Sequence, residues 1–416
     1  MTNEESGPVR STTIRERNEL TVLRLIFRTG SLSQSKAVLK TGLKAPTVFR
    51  IFAQLEKRGL IHEIAAESKP NIDKRPRKGR RPVEFAVNPD AAYVVGLDFW
   101  ARSASAIVQD FSGQVVASRS VCFPMAPDAE SAVHVLSTLI HDMLKEVRIP
   151  EEKLLGIGVG APGSVSLATG VVHFYSRIPG MVEFPLGEKL EKEFHTPVSI
   201  TNNASIVALA EERYGLAKGS GSLFAFLIRA GVGGAYLQNG KLISDRGRTA
   251  FEVGHLSMDR NGPECSCGNR GCLELYLSED SILTALNTAF PGIDMDSLES
   301  ILTNESEKAI SLLAPLFDVA SHAVRDVRRL LAPETVLIVT RSQKLSQCIA
   351  DAAKTDFARS DQRFGPPGAK IIAAEYDSLL ACKAACDLVY ESYFSKGSKA
   401  SAEQKNRTAT RKGDQA

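Results

Sequence analysis

The stretch Phe251–Glu274, FEVGHLSMDRNGPECSCGNRGCLE, constrains this chain more than any other. Cys265, Cys267 and Cys272 crowd into one Gly-, Asn- and Pro-rich segment, with His255 just upstream. Four soft or borderline ligands in that span can converge on one ion, and the set suits a tetrahedral Zn2+ site. The polar start, MTNEESGPVR, has no apolar h-region. No later run approaches the roughly 18 apolar residues of a membrane span. The expected location is therefore cytoplasmic, where closely spaced thiols serve metals more often than disulfides. The alternative is three unrelated free cysteines.

A Cys₃His set fills all four zinc positions and leaves none for an activated water, so the expected role is structural. Glu252 and Glu274 flank the ligands. A loop tied by zinc would fix both carboxylates relative to His255, and such a group suits the hydroxyls of a sugar or polyol. Two solvated surface glutamates would give the same pattern.

The ExGH of Glu252–His255, followed by the CxCGxxGCxE of Cys265–Glu274, resembles the signature of the ROK family of bacterial sugar kinases and sugar-responsive repressors. The resemblance implies that His255, Cys265, Cys267 and Cys272 bind zinc. It also implies that Glu252, His255 and Glu274 contact a sugar.

At 416 residues and 43% hydrophobic content, the chain is long enough for two or three globular domains. Net charge is only +3, yet residues 1–90 hold 18 Lys or Arg against 10 Asp or Glu. A basic N-terminal module on a mildly acidic body points to nucleic acid at one end. Helical periodicity runs from Ile14 to Phe27. A second helix is expected from Ser33 to Lys40, with a Ser N-cap and a Gly42 stop, and a third from about Pro46 to Arg58. Val48, Ala53, Leu55 and Ile51 or Phe52 are assigned to the core of this third helix. Thr47, Arg50, Gln54 and Lys57 are assigned to DNA, with Arg50 first because guanidinium fits guanine in two places. Leu60–Ile64 and Val83–Val87 alternate as half-buried strands around SKPNIDKRPRKGRRP, a basic wing whose Arg80 and Arg81 suit phosphates. A plain three-helix bundle with a solvated face is the competing reading. The TG-L-x-x-x-TV run of Thr41–Val48 and the GRRP of Gly79–Pro82 resemble the winged helix-turn-helix of ROK repressors. Lys44 departs from that pattern, which commonly places a capping serine there.

Residues 91–394 alternate strands, helices and Gly-rich turns, an α/β pattern. By the resemblance they form a two-lobed actin-like ATPase/sugar-kinase fold with ligand between the lobes. Three ATP-holding segments of ROK kinases are altered. DxGGT is Asp98-Phe99-Trp100-Ala101-Arg102, GTGxGG is Arg229-Ala230-Gly231-Val232-Gly233-Gly234, and the adenine-facing glycine pair is Thr340-Arg341. Where those kinases carry an Asn-Asp pair whose Asp is the catalytic base, this chain has Asn202-Asn203. An amide cannot take that proton but can still bond a hydroxyl, so both asparagines are sugar-contact candidates and no catalytic residue is expected. The pair can equally serve to cap the following helix.

The apolar stripe of Ser311–Leu331 reads as core or subunit contact, and the resemblance implies a homodimer or homotetramer through this lobe. Residues 395–416 read as a disordered basic tail. The leading expectation is a sugar-responsive regulator of double-stranded operator DNA, most simply a repressor of carbohydrate uptake or catabolism genes, with no membrane partner and no kinase activity. A sugar kinase carrying a DNA-binding head and a DNA-binding protein that no longer senses sugar are the alternatives.

Overall fold

The computed structural model describes residues 11–64, 83–123, 127–243, 250–364 and 368–395. The chain opens with α1 (Ser11–Thr29), β1 (Leu32–Ser33), α2 (Gln34–Thr41) and α3 (Ala45–Lys57). Ser33 caps α2 by accepting from the Lys36 amide at 3.4 Å, and Gly42 ends it at φ 69°, a turn that a Cβ would strain. Lys44 leaves α3 without a side-chain cap, while Pro46 sits in the first turn where its missing N–H costs nothing. Val48, Ile51, Phe52 and Leu55 bury one side of α3. Ala53, assigned to that core by sequence, is instead exposed. At 3.6 residues per turn it lies about 140° around the helix from Val48, so it belongs to the outer face. Strands β2 (Ile61–Ile64) and β3 (Glu84–Val87) pair antiparallel, and β1 joins β3 to make a three-stranded sheet. The basic wing between β2 and β3, with Arg80 and Arg81, lies outside the described residues.

The first lobe is built on β4 (Tyr93–Phe99), β5 (Ser103–Asp110) and β6 (Val115–Cys122), then α4 (Ala129–Glu146) and β7 (Leu154–Ala161). Short strands β8 (Ser164–Val165), β9 (Val172–Phe174) and β10 (Val182–Phe184) form a side sheet, followed by α5 (Leu186–Phe194), β11 (Val198–Asn202) and α6 (Asn203–Arg213). The main sheet runs β11-β7-β4-β5-β6, with β4, β7 and β11 parallel. Near-continuous apolar runs such as LLGIGVGA in β7 are what a sheet covered on both faces requires.

The second lobe holds β12 (Ser222–Ile228), β13 (Val232–Gln238), β14 (Lys241–Leu242) and β15 (Ala250–Phe251). Helices α7 (Glu274–Leu277), α8 (Glu279–Asn287), α9 (Met295–Asn304) and α10 (Ser306–Leu331) follow, then β16 (Thr335–Thr340), α11 (Gln343–Phe364) and β17 (Lys370–Glu375). Strands β12, β16 and β17 are parallel neighbours. The last helix, α12 (Ser378–Ser395), returns to the first lobe. At Gly96 of β4 a Cβ would lie 2.0 Å from the Cys382 carbonyl, so only glycine lets α12 seat this closely. Cys382 and Cys386 are buried there and pack as small apolar residues.

One apolar cluster joins the N-terminal head to the body: Val22, Leu23 and Ile26 of α1 with Ile107, Phe111 and Tyr390. The Phe27 ring centre lies 4.7 Å from that of Tyr390 and 5.4 Å from that of Phe394, both on α12. The head is therefore packed on the body rather than tethered to it. No helix among the described residues is long and apolar enough to cross a membrane.

Candidate ligand cleft and metal centre

The end of β11 and the start of α6 place Asn202 and Asn203 in the lining of the cleft. Asn202 is the N-cap of α6: its Oδ1 accepts from the Ala204 amide at 2.8 Å and its Nδ2 donates to the Gly163 carbonyl at 2.6 Å. The capping alternative thus describes Asn202, whose side chain is engaged internally although it also lines the cleft. Asn203 is buried, and its Nδ2 donates to Asp98 Oδ1 at 2.7 Å and to the Phe99 carbonyl at 2.9 Å.

Where the resemblance to ROK kinases places glycine backbone against a nucleotide, this chain carries side chains. Arg229, at the turn from β12 to β13, points Nη1 at Asp98 Oδ2, 3.4 Å away, with both groups buried. Its guanidinium carbon lies 4.5 Å from the Trp100 ring centre and 4.2 Å from that of Tyr376, so the cation is sandwiched between two aromatic faces. Tyr376 also donates its hydroxyl to Asp98. Burial pushes the Asp98 carboxyl upward, opposed by Arg229 and by the hydrogen bonds from Tyr376 and Asn203. Arg341, at the lost glycine pair, lies 5.6 Å from the Trp100 ring centre and pairs with Asp296 at 3.3 Å. Further ion pairs span the lobes: Arg102 and Arg177 both reach Asp280 of α8, at 3.1 and 3.0 Å.

The third wall is the cysteine loop. The ligand atoms of His255, Cys265, Cys267 and Cys272 all lie within 4.8 Å of one another. Cys265 Sγ is 3.6 Å from His255 Nδ1, and Cys267 Sγ is 3.7 Å from Cys272 Sγ. With metal–sulfur bonds of about 2.3 Å, a tetrahedron sets its sulfurs roughly 3.8 Å apart, so the residues present fit a metal ion. Gly271, at φ 59°, makes the turn possible: a Cβ there would lie 1.9 Å from the Asp259 carbonyl. Burial and the thiols of Cys265 and Cys267 push the Cys272 thiol up to about 12. A bound cation would reverse that penalty.

The sequence-assigned residues converge. Asn202, Asn203, Glu252, His255 and Glu274 all line one cleft of about 620 Å³ between the lobes. Glu274 accepts from the Val232 amide at 3.2 Å, and a Cβ on Gly231 would come within 2.5 Å of its carboxylate. Gly231, in the segment that stands where ROK kinases carry GTGxGG, thus leaves room for a carboxylate. Sequence reasoning missed His173, Tyr175 and Arg177, which also line the cleft, because the three-residue strand β9 and the turn after it carry no periodic signal. In the head, Arg50 and Lys57 are exposed, whereas Thr47 and Gln54 are half-buried at the edge of the outer face.

A sequence model described as the ROK family matches residues 94–365. The xylose repressor of Bacillus spizizenii is 30% identical over 279 residues, covering 67% of this chain and 70% of that protein. The DNA-binding transcriptional repressor Mlc of Escherichia coli is 26% identical over 67% of each chain. Among solved structures, a ROK family transcriptional regulator homologous to Mlc superposes with a TM-score of 0.73 at 19% identity, covering 92% of this chain and 99% of that one.

Proposed function

The chain belongs to the ROK family, and from that premise we propose that it is a sugar-responsive transcriptional regulator, most simply a repressor, without kinase activity. Residues 1–90 are its DNA-binding head and residues 91–394 its effector-binding and assembly body, working as a homodimer or homotetramer in the cytoplasm. Two-fold symmetry of such an assembly would match a palindromic operator.

The observation that carries this reading is the Asp98, Arg229, Trp100 and Tyr376 cluster beside Asn203. It fills the nucleotide side of the cleft and offers no carboxylate at position 203 to take a hydroxyl proton, while the five sugar-contact candidates remain together. Asn203 spends its amide N–H groups on Asp98 and Phe99, leaving its carbonyl oxygen to accept from a ligand hydroxyl.

We infer further that the ion at His255, Cys265, Cys267 and Cys272 is zinc, held by four protein ligands and therefore structural. Its contribution is to fix Glu252 and Glu274 against the cleft. Helix α12 provides the route outward: it starts two residues after Tyr376, packs along β4 and β7, and ends on Phe27 of the head. A sugar that binds one lobe arrangement better than the other would shift the head along this element.

A thermal-shift screen of the zinc-loaded protein against sugars, amino sugars, sugar phosphates and polyols tests the reading. A ligand at a hundred times its Kd stabilises the native state by about 2.7 kcal/mol. One clear hit with no ADP release from ATP fits a regulator; ATP turnover with that sugar contradicts it.

A further inference from the structure

Helix α3 buries Val48, Ile51, Phe52 and Leu55 and turns the opposite side outward. On that outward side Arg50, Ala53 and Lys57 are exposed, and at its flank Phe49 leaves 49% of its surface open. Phe49 and Ala53 are four residues apart, so they stand one above the other on the helix and form a single apolar strip. Among the described residues, nothing in the packing of the head uses this strip, whose neighbours Arg50 and Lys57 carry the charge that suits a polyanion.

A recognition helix meets base edges in the major groove chiefly through its N-terminal half, where Phe49 and Arg50 both lie. Among the groups displayed along that groove, the thymine 5-methyl is the one apolar feature; the rest are hydrogen-bond donors and acceptors. An aromatic ring there leaves those donors and acceptors without partners and gains only against a methyl group. We propose that Phe49, with Ala53 beneath it, reads thymine by its 5-methyl group next to the guanine contacted by Arg50, and so sets operator specificity. The inference rests on the DNA-binding reading and adds to it the base that the apolar strip selects.

The test uses the full chain and a duplex selected from a randomised library on it. Each thymine of that duplex is replaced in turn by 2′-deoxyuridine, which removes the methyl and leaves the pairing edge unchanged. Burial of one methyl predicts about a fourfold loss of affinity at one or two positions per half-site and none elsewhere. Phe49→Ala should bind the thymine and uracil duplexes alike at those positions, while Phe49→Leu, which keeps an apolar side chain, should still discriminate. A flat uracil scan with wild type overturns the proposal, and so does undiminished discrimination by Phe49→Ala. If a specific duplex is recovered but the scan is flat, only this inference fails; if no duplex is recovered, the DNA-binding reading fails with it.

Discussion

Asn203 Nδ2 donates to Asp98 Oδ1 at 2.7 Å, a buried bond between residues 105 positions apart beside the cleft. An aspartate at 203 would face Asp98 with a second buried carboxylate, and two such groups cannot both ionise. Asn203→Asp should therefore cost about 2 kcal/mol and lower Tm without producing ADP from ATP and sugar. Thermal melts and a coupled ADP assay check both halves; measurable turnover would show that the missing base alone separates this chain from a kinase.

Arg229 holds Asp98 in a buried pair between two rings. Removing one partner of such a pair leaves an uncompensated charge, so Arg229→Ala should destabilise by about 3–5 kcal/mol. Adding Asp98→Asn should recover a substantial part of that loss. A double-mutant cycle in urea reads the coupling, and strictly additive effects would mean the pair is not coupled.

Glu279 is 1% exposed, with neither oxygen hydrogen-bonded among the described residues. Burial pushes its carboxyl up, opposed by Arg341, Arg229 and Arg102. The folded protein then keeps this proton where the unfolded chain has released it. Stability from this group is lost as pH rises from the ordinary value of 4.5 through the raised one, and levels off above it. Relative to wild type, Glu279→Gln should gain stability across that window, because Gln carries no proton to lose and Arg341 retains Asp296. Tm against pH for the two proteins checks it; parallel curves would contradict the burial argument.

Cys267 is the exposed member of the metal set. Cys267→Ser should release zinc and weaken sugar binding together, since the loop holding Glu252 and Glu274 loses its tie. Metal content by atomic absorption alongside ligand titration separates the outcomes: full zinc content in the variant would contradict the ligand assignment.

What the sequence carried was chiefly local. The Ser33 cap, the Gly42 stop and the cysteine loop announce themselves within a few residues, and each stands where those signals place it. Ala53 misled because it follows two buried apolar residues, Ile51 and Phe52, and a single small side chain carries little periodic weight of its own. Arg229 was legible as a lost glycine, but its partner Asp98 is 131 residues away, and only the fold brings them together. The same holds for Arg177 and Asp280, separated by 103 residues across the lobes. Helix α10 begins at Ser306, five residues before the apolar stripe, because its first turn is polar.

The most direct measurement is the affinity of the full chain for its library-selected duplex, by fluorescence anisotropy, with and without the sugar found by thermal shift. A sugar-responsive regulator should change its Kd at least about tenfold, corresponding to a coupling of roughly 1.4 kcal/mol. An identical Kd at saturating sugar would contradict a cleft that controls the head.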